Sequence, residues 1–291
     1  MKPPPFSYHA PATVAETVDM LAGLENAKIL AGGQSLMPML NMRYAQPDHV
    51  IDLNGVADLA YVNADDGEIE IGAMTRQREV EFSGDIARLC PLLAEALPHI
   101  GHRQTRNRGT VGGSLAHFDA AAEIPTVAAA QDAVLGVVGP KGEREISFAD
   151  FSVGYLMTAL DLDELLVSVR LPVWGAGHGS AFEEFARRHG DFAIVSAACL
   201  LEADDAGRIA RAALALGGMG AAPVRADAAE AALRGESGGA DIFREAAEHC
   251  RALEAHDDIH APAAYRQHLA TVLARRALER AWARATAKEG A

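Results

Sequence analysis

The chain has 291 residues and carries 40 acidic against 26 basic side chains, a formal charge of −14. Such a surface repels nucleic acid and anionic lipid, which argues against both as partners. Its three cysteines, Cys90, Cys199 and Cys250, lie far apart and cannot supply the four ligands of an iron–sulfur cluster, so any cluster in this system belongs on another chain.

At the N-terminus, "MKPPPFSYHAP" lacks the apolar core of a signal peptide, so a cytoplasmic location is expected. In "PATVAETVDML", Thr13 and Glu16 have capping-box spacing, and Val14, Val18 and Leu21 recur at helical intervals, which predicts a helix. "AKIL" (27–30) reads as a short strand, "LMPMLNMR" (36–43) as a short helix or turn ended by Pro47, and "HVIDL" (49–53) as a second strand. "AYVNADDGEIEIGAM" predicts a hairpin closed by Asp66-Gly67, a favoured tight-turn pair.

Helical stretches follow near 75–83 and 85–98, then a polar, glycine-dotted segment, "IGHRQTRNRGTVGGSLAH". "EIPTVAAAQ" predicts a helix, "AVLGVV" and "EREIS" a hairpin around "GPKG", and "ELLVSVRLP" a strand. "VWGAGHGSA" (173–181) is glycine-rich and aperiodic, the best linker candidate. Two strands, "AIVSAACLLEA" and "RIARAALALGG", are joined by "DDAG", and helices follow at about 226–234, 240–254 and 262–286. The longest apolar run is far short of the ~18–20 residues that span a bilayer. The expectation is an α+β chain in three sections, 1–54, 55–175 and 176–291.

Two glycine pairs precede hydroxyl residues in loops: Gly32-Gly33-Gln34-Ser35 and Thr110-Val111-Gly112-Gly113-Ser114. Glycine permits positive φ and close approach of backbone to a ligand, and consecutive free amides at a helix start attract anions. The hydroxyls of Ser35, Thr110 and Ser114 could add donors. Neither a P-loop nor an N-terminal G-x-G-x-x-G is present to explain these loops. Taken singly, each pair reads first as a turn. Two of them would suit a diphosphate gripped from two sides, and the residues alone decide no further.

"AGGQSL" followed by "RNRGTVGGSLAHFDAAAEIP" strongly resembles the FAD-binding medium subunit of the molybdenum hydroxylases, the carbon monoxide dehydrogenase and xanthine dehydrogenase group. "FSYHAPATVAETVDML", "VIDLNGVADL", "IEIGAMT", "DELLVSVRLP", "FEEFARRHGDFAIVSAACLL" and "ALGGMGAAPVRA" look like family segments in family order, so the resemblance covers nearly the whole chain.

The resemblance implies an FAD-binding fold of the molybdenum hydroxylase / vanillyl-alcohol oxidase type. It would have two flavin-binding subdomains (1–54 and 55–175) and a C-terminal α+β domain of a few antiparallel strands and helices (176–291). By position, Ala31, Gly32, Gly33, Gln34, Ser35 and Leu36, with Thr110, Val111, Gly112, Gly113 and Ser114, would hold the pyrophosphate. Glu123 falls where relatives place an acid bonded to the cofactor's sugar or ribityl hydroxyls; the plain alternative is a solvated acid at a helix start. Leu166 matches a leucine near the flavin ring. Asp191 and Phe192 match a loop at the flavin's exposed edge, Phe192 as core being the alternative. His117 could contact the cofactor or simply pack under the second loop.

Partners implied are a large molybdopterin subunit, which oxidises the substrate, and a small subunit with two [2Fe-2S] clusters, in a dimer of heterotrimers. This chain would pass electrons through FAD to an external acceptor, with no catalytic residue and no metal ligand of its own. Two positions depart from the family. Glu183 stands where xanthine-dehydrogenase-type relatives carry a lysine near the flavin, and Ala120 replaces a common proline.

Other signals carry less. "HDDIH" (256–260) lacks the glutamate of a zincin and reads as a solvated acidic turn. "GMGAAP" (218–223) reads as a structural turn. Ser114 near His117 has no assigned acid and no nucleophile elbow. A self-sufficient FAD oxidoreductase of the same fold and a non-catalytic nucleotide-binding module are the alternative functions.

Overall fold

The computed structural model describes residues 1–65, 67–175 and 177–287. Asp66 of the expected Asp66-Gly67 turn and Ala176 of the expected linker lie outside them.

The first section forms a small parallel sheet. Strand β1 (Ser7–His9) leads to helix α1 (Val14–Gly23), strand β2 (Ala27–Leu30), helix α2 (Leu36–Asn41) and strand β3 (His49–Asp52), in sheet order β1-β3-β2. The Thr13 hydroxyl accepts from the Glu16 amide at 3.1 Å and so caps α1. The Glu16 carboxylate reaches back to accept from the Ala12 amide at 2.7 Å, one residue beyond the usual reciprocal partner, the Thr13 amide. Thr17, Val18 and Leu21 give α1 its buried stripe.

The second section begins with the expected hairpin of β4 (Val62–Asp65) and β5 (Glu68–Gly72). Helices α3 (Gln77–Glu81), α4 (Gly84–Leu89) and α5 (Pro91–Ala96) follow. The helix expected over 85–98 is broken at Cys90, because Pro91 cannot donate to the ladder and opens a new helix at its first position. The polar stretch that carried no assignment folds as α6 (Arg103–Arg108) and α7 (Val111–His117), then α8 (Glu123–Ala130). Strands β6 (Val134–Gly139) and β7 (Gly142–Ser147), a small hairpin of β8 (Ser152–Gly154) and β9 (Met157–Thr158), and β10 (Leu165–Pro172) complete the section. The main sheet here is antiparallel, in order β4-β5-β10-β6-β7.

The third section is an antiparallel sheet, β11 (His178–Phe185), β12 (Val195–Ala203), β13 (Ile209–Gly217) and β14 (Val224–Arg225), in chain order. Helices α9 (Asp227–Leu233), α10 (Ala240–Glu248) and α11 (Ala263–Ala285) cover one face. The expected linker 173–181 is a strand from His178 onward, because its Gly179 packs directly on the backbone of α11. The α+β class holds.

The sheet of the third section is buried on both faces. Phe182, Ala198, Leu200, Ala213 and Ala215 join the core of the second section, while Ala197, Cys199, Leu201, Leu214 and Leu216 face α9–α11. Among the described residues, no helix is long and apolar enough to cross a membrane.

Candidate functional site

The loop between β2 and α2 carries the first glycine pair. Gly33 has φ +73°, a left-handed conformation that costs glycine little. Gly32 lies flat against the second loop. A Cβ there would stand 2.3 Å from the Arg108 carbonyl oxygen and 2.8 Å from the Gly109 Cα. From the other side Gly113 faces Ala31, with 3.5 Å between an added Cβ and the alanine methyl. The fold therefore brings the two glycine loops together.

Their amides differ. In the second loop the expectation of free donors fails. Val111 donates to the Thr75 carbonyl (3.1 Å), Gly112 to Ala73 (2.9 Å), Gly113 to the Thr110 hydroxyl (3.0 Å) and Ser114 to the Thr110 carbonyl (3.2 Å). These bonds seat α7 on the segment after β5, and the fold uses the donors before any ligand can. In the first loop the amides of Gly32, Gly33, Gln34, Ser35 and Leu36 have no protein acceptor among the described residues. The Gln34 side chain turns back to the Gly32 carbonyl at 3.1 Å. Open donors thus sit on the first loop, and the second loop forms its wall.

Glu123 opens α8 and is 4 % exposed, which removes the solvated-acid reading. Burial, then the nearby carboxylate of Glu184, push its pKa up to about 8. Glu184, on β11, has a side chain 5 % exposed; one carboxylate oxygen lies 3.8 Å from His99 Nδ1 and the other has no partner among the described residues.

Asp191 and Phe192 line a cavity of about 740 Å³, together with Asp119, Tyr155, His256 and Arg266. Phe192 is 61 % exposed, so it is not core. The buried Arg266 guanidinium ties the cavity wall together, donating to the carbonyls of Ile194 and Gly218 and to Asp258.

Residues 4–174 match the family described as FAD binding domain in molybdopterin dehydrogenase. The chain belongs to this family. Residues 180–281 match a second family, the CO dehydrogenase flavoprotein C-terminal domain. The chain is 40 % identical to the alpha subunit of the 6-hydroxypseudooxynicotine dehydrogenase complex of Paenarthrobacter nicotinovorans, over 98 % of this chain and 97 % of that one. It is 35 % identical to the carbon monoxide dehydrogenase medium chain of Hydrogenophaga pseudoflava, over 98 % and 99 %. A solved structure of carbon monoxide dehydrogenase from that organism superposes with a TM-score of 0.95 at 38 % identity, over 98 % of this chain and 99 % of that one. Quinoline 2-oxidoreductase from Pseudomonas putida 86 gives 0.92 at 37 %, over 97 % and 98 %.

As a member of the molybdopterin dehydrogenase flavoprotein family, the chain is an oxidoreductase subunit with its own FAD-binding domain. Within that frame the sequence-derived residues fall into separate places. Ala31–Leu36 and Thr110–Ser114 meet at the paired loops, and His117 ends α7, half-buried. Leu166 lies on β10, buried in the central core. Asp191 and Phe192 sit at the cavity. Glu183 points away from Glu123 to an ion pair with Arg280, and strand alternation turns the next residue, Glu184, toward it. The acid beside Glu123 is therefore Glu184.

"HDDIH" is exposed, but its acids are engaged. Asp258 pairs with Arg266 at 2.7 Å, and Asp257 accepts from the Ala263 amide at 2.6 Å at the start of α11. Arg266 was not among the sequence-derived residues, and nothing in "YRQH" distinguishes it from a surface arginine.

Proposed function

We propose that this chain is the electron-carrying medium subunit of a three-subunit molybdenum hydroxylase. Electrons arrive from a [2Fe-2S] cluster of a small partner subunit and leave to an external acceptor. A large partner holds the molybdopterin cofactor and selects the substrate. The assembly is a dimer of heterotrimers in the cytoplasm. Supporting this are relatives at 35–40 % identity, which include the medium subunits of carbon monoxide dehydrogenase and nicotine 6-hydroxylase. These relatives serve enzymes of very different substrates on one medium-subunit scaffold, as expected if the substrate is chosen on another chain.

The residues present fit FAD. The amides of Gly32–Leu36 would hold the diphosphate, with Ala31 and Thr110–Ser114 as the opposing wall. The Ser35 and Ser114 hydroxyls would add donors. Glu123 would accept from a sugar or ribityl hydroxyl, with His117 nearby, and Leu166 would pack toward the ring system. Asp191 and Phe192, at the mouth of the cavity that Asp119 also lines, would stand at the flavin's exposed edge, with Phe192 limiting access. On this reading 1–54 and 55–175 are the two flavin-binding subdomains, and 176–291 supplies the flavin-edge loop and the docking surface for partners. When bound, the flavin supplies the redox chemistry; the chain binds, orients and restricts approach.

The observation that carries this reading is the contact of Gly32 with Arg108 and Gly109, which joins two distant glycine loops beneath a run of open amides. A visible spectrum of the purified chain tests it. Bands near ~370 and ~450 nm, with FAD released on denaturation, are expected from the bound chromophore. Gly32→Ala drives a methyl into the Arg108 carbonyl and should abolish retention while the chain stays folded. A colourless wild-type protein that takes up no FAD would sink the reading.

A further inference from the structure

The two glycine loops lie in different sections of the chain, the first after β2 and the second between α6 and α7, and a chain of polar side chains spans them. The Asn54 amide nitrogen donates to the Ala31 carbonyl at 3.3 Å, at the head of the first loop. The Arg76 guanidinium donates from Nη2 to the Asn54 side-chain oxygen and from Nη1 to the Arg108 carbonyl, at the head of the second loop. Asn54 is itself held: Asp52 accepts from its backbone amide at 2.9 Å and from its side-chain nitrogen. Tyr8 closes the outer end, donating its hydroxyl to Asp52 at 2.7 Å. Arg76 is fixed from behind by its backbone amide, which donates to Glu79 at 3.3 Å.

We propose that Asn54 and Arg76 are positioning residues for the dinucleotide. They hold the paired loops at the separation at which the open amides of the first loop face the wall of the second. This rests on the flavin reading above. The physical case comes from what else fixes each loop. The second loop is seated on the segment 73–77 by backbone bonds from Gln77, Val111 and Gly112. The first loop follows β2, and in it Gly33 adopts the left-handed conformation. Between the two, Gly32 makes a van der Waals contact that resists approach but not separation. The Ala31–Asn54–Arg76–Arg108 chain is the polar link that resists separation. It acts as a unit, because breaking any bond in it removes the polar tie and leaves only the apolar packing of Ala31 against the cluster that contains Met74. Its guanidinium, which donates to two acceptors at once in a fixed fork, cannot be replaced by a lysine that presents a single point charge.

Titrating FAD into the full-length chain and following flavin fluorescence tests this, with Asn54→Ala, Arg76→Ala, Arg76→Lys and the double variant Asn54→Ala/Arg76→Ala. Each single variant is expected to raise the FAD dissociation constant about tenfold, the scale of one lost charge-assisted hydrogen bond. The double variant should do no more than either single one, since both cut the same chain. Arg76→Lys should behave as Arg76→Ala. Apo-protein melting midpoints should stay near wild type, which separates positioning from general destabilisation. Arg78→Ala, in the first turn of the helix that Arg76 precedes but paired with Glu81, should leave FAD affinity unchanged.

Two patterns overturn the proposal. If Arg76 serves only as a cation for the phosphates, Arg76→Lys keeps its affinity and Asn54→Ala has no effect. If the two residues act independently, their effects multiply in the double variant. A wild-type chain that binds no FAD rejects the flavin reading itself and takes this inference with it, an outcome distinct from both.

Discussion

A carboxyl group in the first turn of a helix ordinarily keeps its charge, because the helix dipole and the surrounding water both favour the anion. Glu123 has the helix but not the water, and Glu184 shares its enclosure. Its pKa is about 8 in the folded chain against 4.5 for the free side chain. The folded state therefore binds the proton more tightly, and stability is fully present below about pH 4.5 and is lost progressively as the pH rises toward 8. Glu123→Gln should flatten that fall in the apo-chain, gaining roughly 4 kcal/mol over wild type at pH 8.5 and under about 1 kcal/mol at pH 5. Urea denaturation at both pH values checks it; an equal effect of the substitution at both would show that Glu123 is not held protonated. A sequence signal did exist. "EIPTVAAA" is apolar all round, the mark of a buried helix, so its lone acid had to be buried with it. What the sequence did not disclose was Glu184, whose direction depends on the register of a strand whose glycine-rich start reads as linker.

At the scale of elements, periodic segments were legible and close contacts were not. Helix α1, strands β2 and β3, the two hairpins and α11 follow from spacing and turn residues alone. Strands β1 and β8–β9 are too short to show a period, and β11 was disguised by its glycines. Gly179 illustrates why. Glycine in a loop signals freedom, but here it signals contact: an added Cβ would stand 1.8 Å from the Ala281 carbonyl oxygen and 2.5 Å from the Ala285 amide of α11. Gly179→Ala must push strand and helix apart and should destabilise the chain by about 2–3 kcal/mol, the cost of overpacking against backbone that cannot rotate away. Gly23→Ala is the control. It sits at the end of α1 with nothing within 4 Å of the added methyl, and should be neutral or slightly stabilising. Thermal melts of the two variants side by side give the comparison.

For the whole molecule, the sheet β11–β14 decides how the sections cohere. Turn signals divide the chain at 175, but the apolar core does not stop there. Alternate residues of β12 enter two cores, Ala198 and Leu200 on one side, Ala197, Cys199 and Leu201 on the other. That much could be read from "VSAACLL", a run with no polar face, although which partners fill the two sides could not. Around the apolar contact, Arg280 and Arg284 of α11 grip Glu95 of α5, and Arg280 also holds Glu183 of β11. These arginines are nearly half exposed, so the ion pairs contribute little beyond alignment, and the shared core carries the coupling. A layer common to two cores makes their unfolding cooperative, since losing either exposes one face of the same sheet. Calorimetry of the full-length chain should then show a single transition in which residues before and after 175 melt together. A fragment ending at Trp174 loses the sheet that covers Leu166, Val169 and the buried face of α8, and should show no cooperative melt of its own. Two separate calorimetric transitions, or a fragment 1–174 that melts as sharply as the whole, would mean that the sections are independent units that merely touch.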